Sequence, residues 1–88
     1  YKYKSVGEIP PEGSIIRNFL VFENNNLLVA NYSDKNVRIY NLTDGEKLDE
    51  RFDKSFGESL IALENTNQIA TGNVSEIKFW ALNIEGSF

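Results

Sequence analysis

The side chains with chemical potential in this 88-residue chain are carboxylates and lysines set in polar stretches between apolar runs. Asp34 and Glu76 fall in equivalent turns, where acidic groups could hold a cation. Asp and Asn in such turns far more often hydrogen-bond the local backbone, and we adopt that reading. Acid pairs such as Asp49-Glu50 belong to a solvated strand. No Gly-rich phosphate loop, zinc-type HExxH or paired-carboxylate arrangement occurs. The chain has no His and no Cys. Thiolate and imidazole metal sites, cysteine nucleophiles and any Ser-His-Asp triad are therefore excluded. We expect no catalysis, no cofactor and no metal.

Asn31, Asn41 and Asn73 each open an Asn-x-Ser/Thr sequon. With eleven Asn and ten Ser or Thr in the chain, three sequons stand little above chance. Nine basic against thirteen acidic residues give a net charge of −4, which argues against a nucleic-acid surface. No apolar run approaches the roughly 18–20 residues of a membrane span, and no secretory leader is visible. A chain beginning at Tyr1 without any Met reads as processed or as a piece of a longer polypeptide. Lack of Cys suits any redox compartment, and cytoplasm or nucleus is the expectation. A chain this short buries only about 60–65% of its unfolded surface, so one small domain is the most it can form.

Self-comparison organises the rest. Ser14–Leu28 aligns with Ser55–Ile69 at a spacing of 41, matching apolar residues at Phe19/Leu60, Leu20/Ile61, Phe22/Leu63 and Leu28/Ile69. Val37–Leu42 aligns with Ile77–Leu82 at a spacing of 40. The one-residue difference falls in the polar stretch between Tyr32 and Asn36, where a hairpin loses a residue cheaply. The units are residues 14–52 and 55–88, within a single segment spanning 1–88.

Each unit reads as short strands. Phe19–Glu23 and Leu60–Glu64 run into Asn-rich turns, where Asn tolerates left-handed backbone. Leu27–Asn31 and Gln68–Gly72 follow, then Val37–Leu42 and Ile77–Leu82, rich in β-branched and aromatic residues. Thr43-Asp44-Gly45 signals a hairpin into a fourth strand over Glu46–Phe52. Its counterpart at the front is Tyr1–Val6. Leu48, Phe52 and Phe56 lie four apart behind a capping-box pattern, so residues 44–56 also fit a short helix. The repeat favours the strand.

Leu27–Leu42 resembles the two central strands of a WD-repeat β-propeller blade. Asp34 takes the place of that family's turn aspartate, Tyr40 and Trp80 that of its third-strand tryptophan, and Thr71 that of its second-strand Ser/Thr. No His completes the family's hydrogen-bond network, and Ser75-Glu76 replaces the turn aspartate in the second unit. Bacterial and archaeal surface-type propeller repeats resemble the Val29–Asn31 segment equally. The resemblance implies an all-β chain of two four-stranded antiparallel blades: one outer strand, one full blade and three strands of the next, forming part of a larger ring. It also implies that the loops entering the first strands lie on a partner-binding face. Asp34, Lys35, Lys54 and Phe56 are then the contact candidates, with packing between blades the preferred role for Phe56.

The third strands are apolar on both faces, Val37 and Ile39 opposite Tyr40 and Leu42, so each sheet needs a layer on either side. Trp80, Tyr40 and Phe79 are expected in the core. The expected function is a non-catalytic protein–protein interaction scaffold whose partners are other proteins or further blades, with no nucleic acid and no membrane span. Two rivals are a lectin-type or surface-type ligand-binding propeller built from several chains, and a fragment of a propeller enzyme whose catalytic residues lie elsewhere.

Overall fold

The structure, a computed structural model, describes residues 8–56, 58–63, 66–83 and 85–88. Four strands, β1 (Ile16–Phe22), β2 (Leu27–Tyr32), β3 (Asn36–Asn41) and β4 (Lys47–Phe52), pair in chain order as one antiparallel sheet. Three more, β5 (Ser59–Ala62), β6 (Gln68–Gly72) and β7 (Ile77–Ala81), form a second antiparallel sheet in the same order. No α-helix occurs among the described residues, and none there is long and apolar enough to cross a membrane. The expected outer strand Tyr1–Val6 lies outside the described residues.

Turn chemistry sets the meander. Asn26 adopts the left-handed conformation (φ 57°) that closes a single 3-10 turn between β1 and β2. Between β2 and β3, Lys35 takes φ 66° while Asp34 Oδ1 accepts the Asn36 N–H at 3.0 Å. After β3, Asn41 Oδ1 accepts the N–H groups of Thr43 and Asp44. Gly45 (φ 75°) completes that turn, and a Cβ there would sit 3.1 Å from the Glu8 carbonyl oxygen. The hairpin leads directly into β4, so the helix alternative over 44–56 is not adopted.

The two sheets pack face to face. Val29, Val37 and Ile39 of the first sheet meet Leu60 and Ile69 of the second, with Phe56 and Leu82 completing the buried cluster. Asn18 reaches across, donating from its side chain to the Leu60 carbonyl at 2.8 Å. The C-terminal tail closes one side of this core. Phe88 N–H donates to Asp49 Oδ2 at 3.1 Å, and its ring joins Phe56 and Trp80 in one aromatic cluster.

Phe79 departs from its expected place in the core: it is 69% exposed. Strand alternation turns it with Ile61 and Ile77 to the side of β5–β7 away from the first sheet, where no described residue forms a covering layer. Trp80, on the inward side, is half-buried, and Tyr40 is buried as expected.

Candidate functional site

All four contact candidates lie in connections at one end of the sheets, and three of them face solvent. Asp34 and Lys35 form the β2–β3 turn, and Lys54 lies in the connection from β4 to β5; all three are exposed. A backbone hydrogen bond from Asp53 N–H to the Lys35 carbonyl, 3.1 Å long, ties that turn to that connection. Lys78 on β7 joins them through an ion pair to Asp53 at 3.2 Å. Phe56 is fully buried, so the packing role is the one it takes; a ring with no exposed surface cannot also touch a partner.

Asp34 is not a free acid. Its carboxylate accepts from both terminal nitrogens of Arg38, at 2.9 and 3.3 Å. Arg38 is almost fully buried, on the same face of β3 as Tyr40, and is not among the contact candidates. A basic residue between Val37 and Ile39 is the available signal, because a buried charge needs counter-charges. Those are three carboxylates. Besides Asp34, Glu50 accepts from Arg38 Nε at 3.0 Å, and Glu12 lies at the same distance. The guanidinium also stacks over the Tyr32 ring, 4.4 Å from its centroid. Lys47 pairs with both Glu12 and Glu50 at 3.1 Å, and the Tyr32 and Tyr40 hydroxyls share a 2.8 Å hydrogen bond.

The electrostatics drive these groups away from neutral pH. Burial alone would raise Asp34, but hydrogen bonds from Arg38 and the Asn36 N–H hold its carboxyl below the ordinary value. Burial likewise opposes the Arg38 charge, and Asp34 and Glu50 more than offset it. Glu50 is lowered chiefly by Lys47, and Lys47 raised chiefly by Glu50. Burial, then the Tyr32 hydroxyl, pushes Tyr40 well above the usual phenol range. At the other turn, Ser55 hydrogen bonds and then Lys78 bring Asp53 down to about 2. A general acid or base needs the opposite tuning, towards the working pH. Among the described residues no buried side-chain polar atom lacks a hydrogen-bond partner, and no cluster of acidic residues is placed to hold a metal.

The second sheet carries a different polar contact at the matching place. Trp80 Nε1 donates to Thr71 Oγ1 at 2.9 Å, between the residues that the resemblance matches to a blade's third-strand tryptophan and second-strand Ser/Thr. Arg51 lies over the indole, 5.1 Å from its centroid. Of the sequon residues, Asn31 is buried and Asn41 and Asn73 accept backbone N–H groups in turns. At the far end, an open groove of about 550 Å³ runs between the β1–β2 and β5–β6 turns, lined by Glu23, Asn24, Asn25, Thr66 and Asn67 among others. Comparison of the chain with protein-family models, with curated proteins and with solved structures found no match.

Proposed function

We propose that the chain is a two-blade segment of a WD-repeat-like β-propeller and serves as a non-catalytic protein–protein interaction scaffold within a larger ring. The observation that carries this reading is how the repeats stack. Residues matched by the 40–41-residue spacing lie on opposite sides of the sheet contact: Ile39 faces β5–β7, whereas its counterpart Phe79 faces away. Equivalent units that present unlike faces to each other build a directional stack, as propeller blades do. The Trp80–Thr71 hydrogen bond supports the WD-type variant of that fold.

The scaffold role rests on the exposed turn cluster of Asp34, Lys35 and Lys54 together with ionisable groups tuned away from catalysis. The ligand-binding alternative asks for like pockets in both units. Tyr32 is buried beneath Arg38 while its counterpart Asn73 caps a turn, which weighs against it. A photo-crosslinking amino acid placed at Lys35 or Lys54, and as control at Thr66, tests the role in an extract of the source cells. Protein adducts from the first two sites and few from Thr66 are expected. Adducts confined to Thr66 would overturn the assignment of the binding end.

A further inference from the structure

We propose that the bare side of β5–β7 is a docking face for a second copy of this chain, and that residues 8–13 compete for the surface that copy must offer. The proposal deepens the scaffold reading by naming a partner, but it rests on the repeat and not on ring closure.

The molecule itself contains an example of what covers such a face. Leu20, Val29 and Ile39 lie side by side across β1, β2 and β3. Their counterparts Ile61, Ala70 and Phe79 lie side by side across β5, β6 and β7. The first row is packed beneath the second sheet, with Val29 and Ile39 fully buried. In the second row Ile61 is 57% and Phe79 69% exposed, beside Ile77 at 71%. The surface that covers the first row is the opposite side of β5–β7, carrying Leu60, Ile69 and Trp80. The counterparts of those three residues are Phe19, Leu28 and Tyr40, on the opposite side of β1–β4. A second copy therefore already holds the complement of the bare face, and the contact is head to tail.

That complement is occupied. Ile9 packs against the Ala30, Tyr32 and Tyr40 cluster, and the Glu12 carboxylate is held by Arg38, Lys47 and the Tyr40 hydroxyl at 3.0–3.2 Å. Phe19 stays 59% exposed beside this strap. The three exposed side chains on the docking face offer roughly 350–400 Å² between them. A stable independent contact needs about 800 Å² on each partner. Association of the free chain is accordingly weak while the strap is seated, and releasing it enlarges the complementary surface.

Sedimentation equilibrium of the 88-residue chain over a hundredfold concentration range tests this. The variants are Glu12→Arg, which sets a third cation beside Arg38 and Lys47, and Phe79→Lys and Phe19→Lys, one on each docking face. The average mass of the parent chain is expected to rise above 10.0 kDa with concentration. Glu12→Arg is expected to associate at least tenfold more tightly. Phe79→Lys and Phe19→Lys are each expected to stay monomeric alone, yet to form a two-chain complex and nothing larger when mixed, since each keeps one intact face. Both side chains are exposed, and Ile61→Lys with Val21→Lys repeats the experiment if either variant misfolds. A parent chain and Glu12→Arg variant that both stay monomeric overturn the proposal. So does Phe19→Lys forming dimers alone, the mark of two bare faces meeting each other. Unlimited growth instead of a discrete ring supports the docking face and defeats the ring reading.

Discussion

The two halves of this chain carry one residue pattern and turn opposite sides of it to their shared contact. Val37 and Ile39 are fully buried in the first sheet, while Ile77 and Phe79, 40 residues on, are 71% and 69% exposed. Strand alternation is the same in both, so the difference comes from which side meets the other sheet. Hydrophobicity selects the residues able to be buried, and stacking order selects those that are. The polar positions follow suit. Among the described residues, Arg38 lies outside the sheet contact and gathers three carboxylates there, whereas its counterpart Lys78 keeps one, more exposed pair with Asp53.

The sharpest test of that contrast is truncation of the matched pair. Ile39→Ala empties a site packed on all sides and is expected to cost about 2–5 kcal/mol of stability. Phe79→Ala removes a larger side chain, yet in the monomer it is expected to change stability by no more than about 0.5 kcal/mol. Urea denaturation at low protein concentration measures both. Equal losses would mean that the bare side of β5–β7 is covered within the monomer itself.

A smaller effect is expected at the indole. Trp80→Phe removes the donor to Thr71 and Thr71→Val the acceptor, each at an expected cost of about 1 kcal/mol beyond any packing change. Coupling between the two in a double-mutant cycle isolates the hydrogen bond. Additive losses would mean that the 2.9 Å contact contributes nothing.

The smallest effect is a pH dependence that separates the two turn acids. Asp53, held at about 2 against an ordinary 3.8, stabilises the fold fully above its ordinary value. That contribution fades as pH falls from about 4 towards 2, because the unfolded chain takes up the proton first. Asp53→Asn keeps the acceptor for Ser55 but not the charge, and its denaturation midpoint is expected to lose that part of the acid sensitivity. Identical acid profiles for variant and parent would break the assignment. The lowered Asp34 carboxyl adds the same sign of dependence through Arg38, and remains in the variant.

Most of the strand order was legible because its causes are local. Alternation, β-branched and aromatic runs, Asn-rich turns and the Asp44-Gly45 hairpin each act within a few residues. The repeat favoured a strand in the ambiguous stretch before Phe56, and β4 forms there in place of a helix. The Asp34–Arg38 pair also lay within reach of the sequence, since it spans four residues. The Glu12 latch did not: it closes on Tyr40 across 28 positions, and nothing in Pro10-Pro11-Glu12 signals which sheet face lies beneath it.

The all-β class and the seven described strands were legible in the residues alone, since periodicity and turn chemistry are properties of short segments. Long-range packing selects which side of each sheet meets the other, where the strap and the Phe88 tail come to rest, and why Phe79 stands open while Ile39 does not. In β7 both sides carry large apolar groups, Ile77 and Phe79 on one and Trp80 on the other. The choice between them belongs to the neighbour that arrives, and burial is a property of the pair of surfaces and not of either strand alone.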